Sequence, residues 1–216
     1  LIKISTHSDS QDIVLDFFAG SCTTAHAVLD LNKEDGGNRK FICVQLPELT
    51  DENSEAFKAG YKNLAEVSKE RIRRAIKEIK KEEPERAKKM DLGFKVFRED
   101  TSNYKVWENF EGKDVKELKK QLELFKSPLI IRYKEVNVLY ETIIKEGFDL
   151  NSKIEELKVK SHTVYKISDG KATFYITFEE KIKSEIIEEL GLSKDSVFIC
   201  LDHAVTDSIK ANLALQ

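Results

Sequence analysis

The residues best suited to chemistry lie in one short string. It begins in an apolar run rich in strand formers, Ile13 to Phe18, and opens into a helix-forming segment, Thr23 to Leu31. A strand that ends in a loop of small residues and continues as a helix exposes backbone N–H groups at the positive end of the helix dipole. We therefore expect an anionic cofactor at the string Asp16, Phe17, Phe18, Ala19, Gly20, Ser21, Cys22, Thr23 and Thr24.

Several common kinds of site find no support in the sequence. The glycine pattern is neither GxGxxG nor GxxxxGK[ST], which weakens the case for a dinucleotide or ATP site. Cys22, Cys43 and Cys200 form no CxxC pair, and the four histidines are widely separated, so no metal site is predicted. Neither a run of about 18 apolar residues nor a signal pattern is present, and a reducing cytoplasm is the simplest setting for the three cysteines.

The string should lie inside a strand–helix–strand unit. A turn cluster at Asp35 to Asn38 separates the helix from a second apolar run, Phe41 to Leu46, of the kind that is buried in a parallel sheet. A long helix is expected from Tyr61 to Lys81, with an apolar stripe on one face, and a further strand from Leu92 to Phe97.

The long helix is locally basic. From Gly60 to Lys89 the sequence has eleven Lys and Arg against six Asp and Glu, whereas the whole chain has a net charge of -3. A solvated surface helix is the simpler interpretation, and a helix that faces DNA phosphates is the alternative. Arg71, Arg73 and Arg74 are the candidates for such a DNA contact.

A second region should begin in the polar, aromatic stretch Thr101 to Lys113. Beyond it the sequence predicts two amphipathic helices, then two strands joined by a turn, then a helix, a strand and a last helix. The predicted ranges are Val115 to Phe125, Lys134 to Lys145, Thr163 to Ile167, Ala172 to Phe178, Glu180 to Leu190, Ser196 to Leu201, and a helix after Thr206.

The string DFFAGSCTTA closely resembles the DxFxGSGTT motif of amino-methyltransferases that use S-adenosylmethionine and act on adenine in DNA. The resemblance extends through AHAVLDLN, EDGGNRKFICVQLPE, NLAEVSKERIRRA and DLGFKVF to the modification subunits of type III restriction-modification systems. It implies an α/β fold, in which a partial Rossmann-like methyltransferase sheet over residues 1–110 is followed by a smaller α+β domain over 111–216.

The resemblance also implies roles for individual residues. Asp16 to Thr24 would form the S-adenosylmethionine loop, and Gln45 stands where related enzymes have an acidic residue for the ribose hydroxyls. Cys22 stands where the motif has its second glycine, and its side chain restricts both the backbone dihedrals and the close approach of a ligand. A glutamine without a ligand remains the alternative for position 45.

The segment that would carry catalysis is missing from this sequence. Adenine methyltransferases resemble one another in a [DNS]PP[YFW] segment that holds the flipped base, but the three prolines here, Pro47, Pro84 and Pro128, are all isolated. The chain also begins abruptly in an apolar stretch at Leu1. We therefore expect a part of a longer protein, with no catalytic residue in this chain and no methylation by the chain alone.

The resemblance implies a function for the longer protein. It would transfer a methyl group from S-adenosylmethionine to adenine N6 in a specific DNA sequence, in the cytoplasm and without a membrane partner. Its partners would be double-stranded DNA and the restriction subunit of the same system, and a homodimer is compatible with this. The alternative is a non-catalytic assembly module that docks a partner subunit and keeps a degenerate cofactor loop, which Cys22 and Gln45 favour.

Overall fold

The computed structural model describes residues 1–106, 114–124, 127–192 and 196–215. These residues form a mixed α/β structure with a two-stranded and a four-stranded sheet, and the chain divides into two compact units, Leu1–Phe97 and Arg98–Gln216. Among the described helices, none combines the length and the apolar character that a membrane span requires.

The first unit contains a parallel strand pair and five helices. Strands β1 (Ile13–Asp16) and β2 (Lys40–Cys43) pair in parallel with Asp16 opposite Cys43, and helix α2 (Thr23–Asp35) connects them, so the predicted strand–helix–strand unit is confirmed. In chain order the elements are α1 (Ile2–Ser5), β1 (Ile13–Asp16), α2 (Thr23–Asp35), β2 (Lys40–Cys43), α3 (Glu55–Lys58), α4 (Leu64–Glu82) and α5 (Pro84–Ala87).

Helix α4 forms where its sequence pattern predicts a helix. The Asn63 side chain caps it by accepting from the backbone N–H of Glu66 at 3.0 Å, which satisfies one of the free donors of the first turn. Its buried positions follow the helical repeat and pack beside α2, so that one apolar cluster holds both helices against the strand pair. The buried members of that cluster are Ala19, Cys22, Ala25, Leu29, Ile72, Ala75, Ile79 and Leu92.

The prediction of a strand at Leu92 to Phe97 is wrong. The segment has no regular secondary structure. Leu92 is buried in the cluster beneath α2 and α4, and Phe94 packs against the same cluster. The apolar residues of this segment therefore anchor an irregular stretch to the core, a role that a short apolar run does not distinguish from a strand.

One face of the strand pair is open. The outward residues of β1, of β2 and of the chain just beyond each strand are apolar and at least half exposed, whereas the alternate residues Val14, Asp16, Phe41 and Cys43 are partly covered. Parallel sheets ordinarily have both faces covered. The residues of this open face are Ile13, Leu15, Phe17, Ile42, Val44 and Leu46.

The second unit is built around a four-stranded sheet. Its strands lie in the order β3 (Lys153–Val159), β4 (His162–Ser168), β5 (Thr173–Ile176) and β6 (Val197–Ile199). The first three strands are antiparallel neighbours, and β6 runs parallel to β5. Its elements are α6 (Val115–Leu124), α7 (Glu135–Lys145), β3 (Lys153–Val159), β4 (His162–Ser168), β5 (Thr173–Ile176), α8 (Ser184–Leu190), β6 (Val197–Ile199), a 3₁₀ turn (Asp202–Ala204) and α9 (Asp207–Leu215).

One strand of this sheet, β3, is not predicted from the sequence. Strand β3 has the sequence KIEELKV, and its charged residues mask the alternation on which strand prediction depends. The helix expected from Glu180 begins instead at Ser184 and ends at Leu190, where Gly191 takes a left-handed conformation with φ 59°.

The predicted domain division at residue 110 remains a prediction. Along the chain, the boundary between the two compact units falls between Phe97 and Arg98. Tyr104 belongs to the second unit and forms a β-bridge with Leu129 of the same unit. Part of the expected linker, residues 107–113, and the expected helix end at Phe125 lie outside the described residues.

Candidate functional site

The candidate site lies at the carboxyl ends of β1 and β2. Both strands continue beyond their ladder in contact with each other: the N–H of Val44 donates to the Asp16 carbonyl at 2.8 Å, and the N–H of Ala19 donates to the Val44 carbonyl at 3.1 Å. These bonds bring the loop after β1 next to the chain after β2. In parallel sheets this edge is where ligands bind.

Asp16 fixes the shape of the loop. One carboxylate oxygen accepts from the Thr24 hydroxyl at 2.5 Å, and the other accepts from the Phe18 N–H at 3.2 Å. The carboxylate thus connects the end of β1, the loop and the first turn of α2. Hydrogen bonds to a charged group are stronger than neutral ones, so this brace orders the backbone that a ligand would meet.

Gln45 is held within the same loop. Its Oε1 accepts from the Gly20 N–H at 2.7 Å, and its Nε2 donates to the Leu46 carbonyl at 3.0 Å. The structure therefore gives Gln45 a structural contact that joins the two strand ends. One lone pair of Oε1 and one N–H of Nε2 remain for a further hydrogen bond.

Gly20 and the neighbouring helix α4 complete the support of the loop. Gly20 has φ 54°, which glycine adopts without a steric cost, and its carbonyl accepts from the hydroxyl of Ser68 at 2.5 Å. Ser68 is only 4% exposed. The sequence alone did not indicate this role, although a serine on the apolar stripe of the predicted helix was the available signal.

Cys22 departs from the family motif, yet its side chain is accommodated in the core. It has φ 58° and ψ 42°, the left-handed conformation that glycine would adopt more easily, and it is 4% exposed. A side chain this deeply buried lines little of the space that a ligand could enter. The restriction of the backbone that the sequence predicts at Cys22 is therefore present, whereas the Cys22 side chain obstructs the approach of a ligand only a little.

The thiols of Cys22 and Cys43 interact beneath the loop. Cys43 donates a hydrogen bond that lowers the pKa of Cys22 to about 7 against the opposing effect of burial, and the Ser68 hydroxyl and the positive charge of Arg71 act in the same direction. The same hydrogen bond and burial raise the pKa of Cys43. Both cysteines are free.

Three backbone donors and two aromatic rings remain available at this loop. Within the described residues, the N–H groups of Ser21, Thr23 and Thr24 donate to no acceptor, as expected for the first turn of a helix. The rings of Phe17 and Phe18 lie 5.0 Å apart, and Phe18 is 83% exposed. The loop thus offers donors for an anion beside an apolar aromatic surface.

The three arginines proposed for DNA differ in their surroundings. Arg73 and Arg74 are exposed on α4, and Arg74 pairs with Glu70 at 2.8 Å. Arg71 is only partly exposed, and its Nε is buried with no hydrogen-bond partner among the described residues. The structure therefore separates Arg71 from the other two. The described part of the chain also contains no group of three or more His, Cys, Asp or Glu side chains that could hold a metal ion.

Comparison with known proteins first gives a class. A family described as DNA methylase matches residues 1–48, which include the whole loop and Gln45. The StyLTI Mod subunit, from a type III restriction-modification enzyme of Salmonella typhimurium, is 43% identical over 115 residues, which make up 53% of this chain and 17% of that relative.

Two further relatives extend the similarity along most of the chain. The type III EcoP15I Mod subunit of Escherichia coli is 31% identical over 194 residues, 89% of this chain and 27% of the relative. The type III EcoPI Mod subunit of Escherichia phage P1 is 30% identical over 196 residues, 90% of this chain and 28% of the relative.

The match to the DNA methylase family and the similarity to the type III Mod subunits agree. The first 48 residues match the DNA methylase family. The chain is a relative of the Mod subunits of type III restriction-modification enzymes, and the resemblance predicted from the loop motif is confirmed. The chain spans between 17% and 28% of the length of these three relatives.

Proposed function

We propose that residues 16–24 and Gln45 form an S-adenosylmethionine site in a DNA adenine-N6 methyltransferase of a type III restriction-modification system. The observation that carries this proposal is the braced loop: Asp16 holds both the loop and the first turn of α2 at the carboxyl ends of two parallel strands. The similarity of this chain to the type III Mod subunits, 31% and 30% identical over 194 and 196 residues, supports the same assignment. The strand pair would then be part of a Rossmann-like sheet.

The groups at this site fit the chemistry of the cofactor. S-adenosylmethionine supplies a methyl group on a sulfonium, and it carries a carboxylate, an adenine ring and ribose hydroxyls. Its carboxylate fits the unused N–H groups of Ser21, Thr23 and Thr24. The exposed rings of Phe17 and Phe18 offer a surface for adenine, and the remaining amide groups of Gln45 can bond a hydroxyl.

The residues of this chain would bind and orient the cofactor without acting on the adenine. The flipped base needs a segment of the [DNS]PP[YFW] kind, which this sequence does not contain. We therefore expect no methylation by the chain alone. In the longer cytoplasmic protein, double-stranded DNA and a restriction subunit would be the partners, and the exposed Arg73 and Arg74 would face DNA phosphates.

A titration of this chain with S-adenosylmethionine tests the proposal. The brace predicts that Asp16→Ala weakens binding by roughly tenfold or more, because the loop loses two charge-assisted hydrogen bonds. Asp16→Asn is the matched control, because it keeps the shape of the side chain and one acceptor oxygen. Its affinity for S-adenosylmethionine should lie between those of the parent chain and Asp16→Ala. Calorimetry at neutral pH measures all three proteins. Equal affinities for the parent and Asp16→Ala would contradict the proposed role of the brace.

The second candidate is an assembly module with a degenerate loop. Gln45 favours it, since both ends of its side-chain amide already bond the backbone, at the Gly20 N–H and the Leu46 carbonyl, without a ligand. The two candidates differ in a thermal melt. S-adenosylmethionine should raise the melting temperature of the parent chain if the loop binds it, and should leave that temperature unchanged if the loop is only structural.

A further inference from the structure

Arg71 lies beside the loop instead of on the outer surface of α4. It is three residues from Ser68, whose hydroxyl bonds the Gly20 carbonyl, so that the two side chains share one face of the helix. The next residue, Ile72, belongs to the same buried cluster as Ala19 and Cys22. The positive charge of Arg71 also acts on the Cys22 thiol.

The Nε–H donor of Arg71 is unused. This nitrogen is buried and has no hydrogen-bond partner among the described residues. Buried polar groups in proteins are almost always satisfied, and an unsatisfied one calls for an explanation such as an unoccupied ligand position. Arg74, one turn away, shows the ordinary surface alternative, because it pairs with Glu70.

We propose that Arg71 is a cofactor-site residue whose guanidinium binds the carboxylate of S-adenosylmethionine, together with the free N–H groups that begin α2. This inference rests on the proposed function and deepens it. A guanidinium presents donors in a planar fork that matches a carboxylate, which an ammonium group does not reproduce.

A contact with DNA phosphate is the competing role for this residue. A duplex backbone is approached by exposed side chains, and Arg73 and Arg74 are exposed on α4. The Nε of Arg71 is buried, and Arg71 shares its helix face with Ser68, whose hydroxyl bonds the loop. Arg71 and Arg73 should therefore have different ligands, although only one residue separates them.

Two probes that differ only in the carboxylate test this assignment. The parent chain should bind S-adenosylmethionine about ten- to a hundredfold more tightly than decarboxylated S-adenosylmethionine, which keeps the adenosine, the sulfonium and the amine. Arg71→Gln should reduce that preference severalfold by lowering only the affinity for S-adenosylmethionine, and the N–H groups that begin α2 should retain the remainder. Arg71→Lys should retain more of the preference than Arg71→Gln, and the matched control Arg73→Gln should retain all of it.

Calorimetric titration measures the affinity of each protein for the two probes, and each result has a definite meaning. A preference that is undiminished in Arg71→Gln, or a loss of affinity for both probes together in Arg71→Gln and Arg71→Lys, would overturn the role of Arg71 and leave the proposed function standing. Equal binding of the two probes by the parent chain would overturn it too. Binding of neither probe by the parent chain would overturn the proposed function as well.

Discussion

At the scale of single residues, Cys22 combines two opposing contributions to stability. Its left-handed backbone costs a residue with a Cβ about 1 kcal/mol or more relative to glycine. Its buried side chain and the contact with Cys43 are favourable. The residue is therefore neither a simple substitute for glycine nor an obstruction in the ligand space.

This opposition predicts an unusual order of stabilities at position 22. Cys22→Ala keeps the backbone cost and loses the thiol contact, whereas Cys22→Gly loses the contact but relieves the backbone. We expect the glycine variant to be more stable than the alanine variant by about 1 kcal/mol in urea unfolding. At a buried site with negative φ the order is the reverse, so an alanine variant as stable as the glycine variant would show that the backbone cost is absent.

At the scale of elements, Glu141 connects α7 to the chain that precedes α6. Its carboxylate accepts from the Ser102 hydroxyl at 2.5 Å and from the backbone N–H of Asn103 at 2.8 Å, and it pairs with Lys145 at 3.1 Å. Burial alone would raise the pKa of Glu141, but these hydrogen bonds outweigh it and lower the pKa to about 2.

The lowered pKa predicts how the stability of the second unit depends on pH. Because the folded carboxyl is the stronger acid, its stabilisation is complete above the ordinary value of 4.5 and is lost as the pH falls toward 2. Glu141→Gln should lower the free energy of unfolding by about 2–3 kcal/mol at pH 7 and by much less near pH 2.5. Urea unfolding at both values measures this, with the exposed Glu146→Gln as the control. A deficit that does not change with pH would contradict the assignment.

The elements that the sequence predicted well are those with an unambiguous period. Helix α4 repeats buried residues at Ser68, Ile72, Ala75 and Ile79, and only an amphipathic helix produces that spacing. Strand β3 was missed because its charged residues resemble those of a helix surface. The segment Leu92 to Phe97 was mistaken for a strand because an apolar run does not reveal whether another strand pairs with it.

At the scale of the whole molecule, one part of the candidate site could be predicted from the sequence and another part could not. The loop from Asp16 to Thr24 is contiguous, so a motif was enough to find it. The supporting contacts of Ser68 and Arg71 reach the loop from 48 or more residues away in sequence, and no local pattern encodes such a pairing. Charge alone grouped Arg71 with Arg73 and Arg74, whereas burial distinguishes it.

The open face of the β1–β2 pair determines how this chain should behave at high concentration. Six apolar side chains lie exposed beside unpaired strand edges, and such surfaces promote the association of one molecule with another. Light scattering by the parent chain should therefore rise with concentration and fall on Leu15→Lys with Ile42→Lys. A matched pair of substitutions at the exposed Val115 and Leu122 of the second unit should change the scattering little. The dependence of the scattering on concentration would then measure association through this open face, which an assay of S-adenosylmethionine binding does not detect.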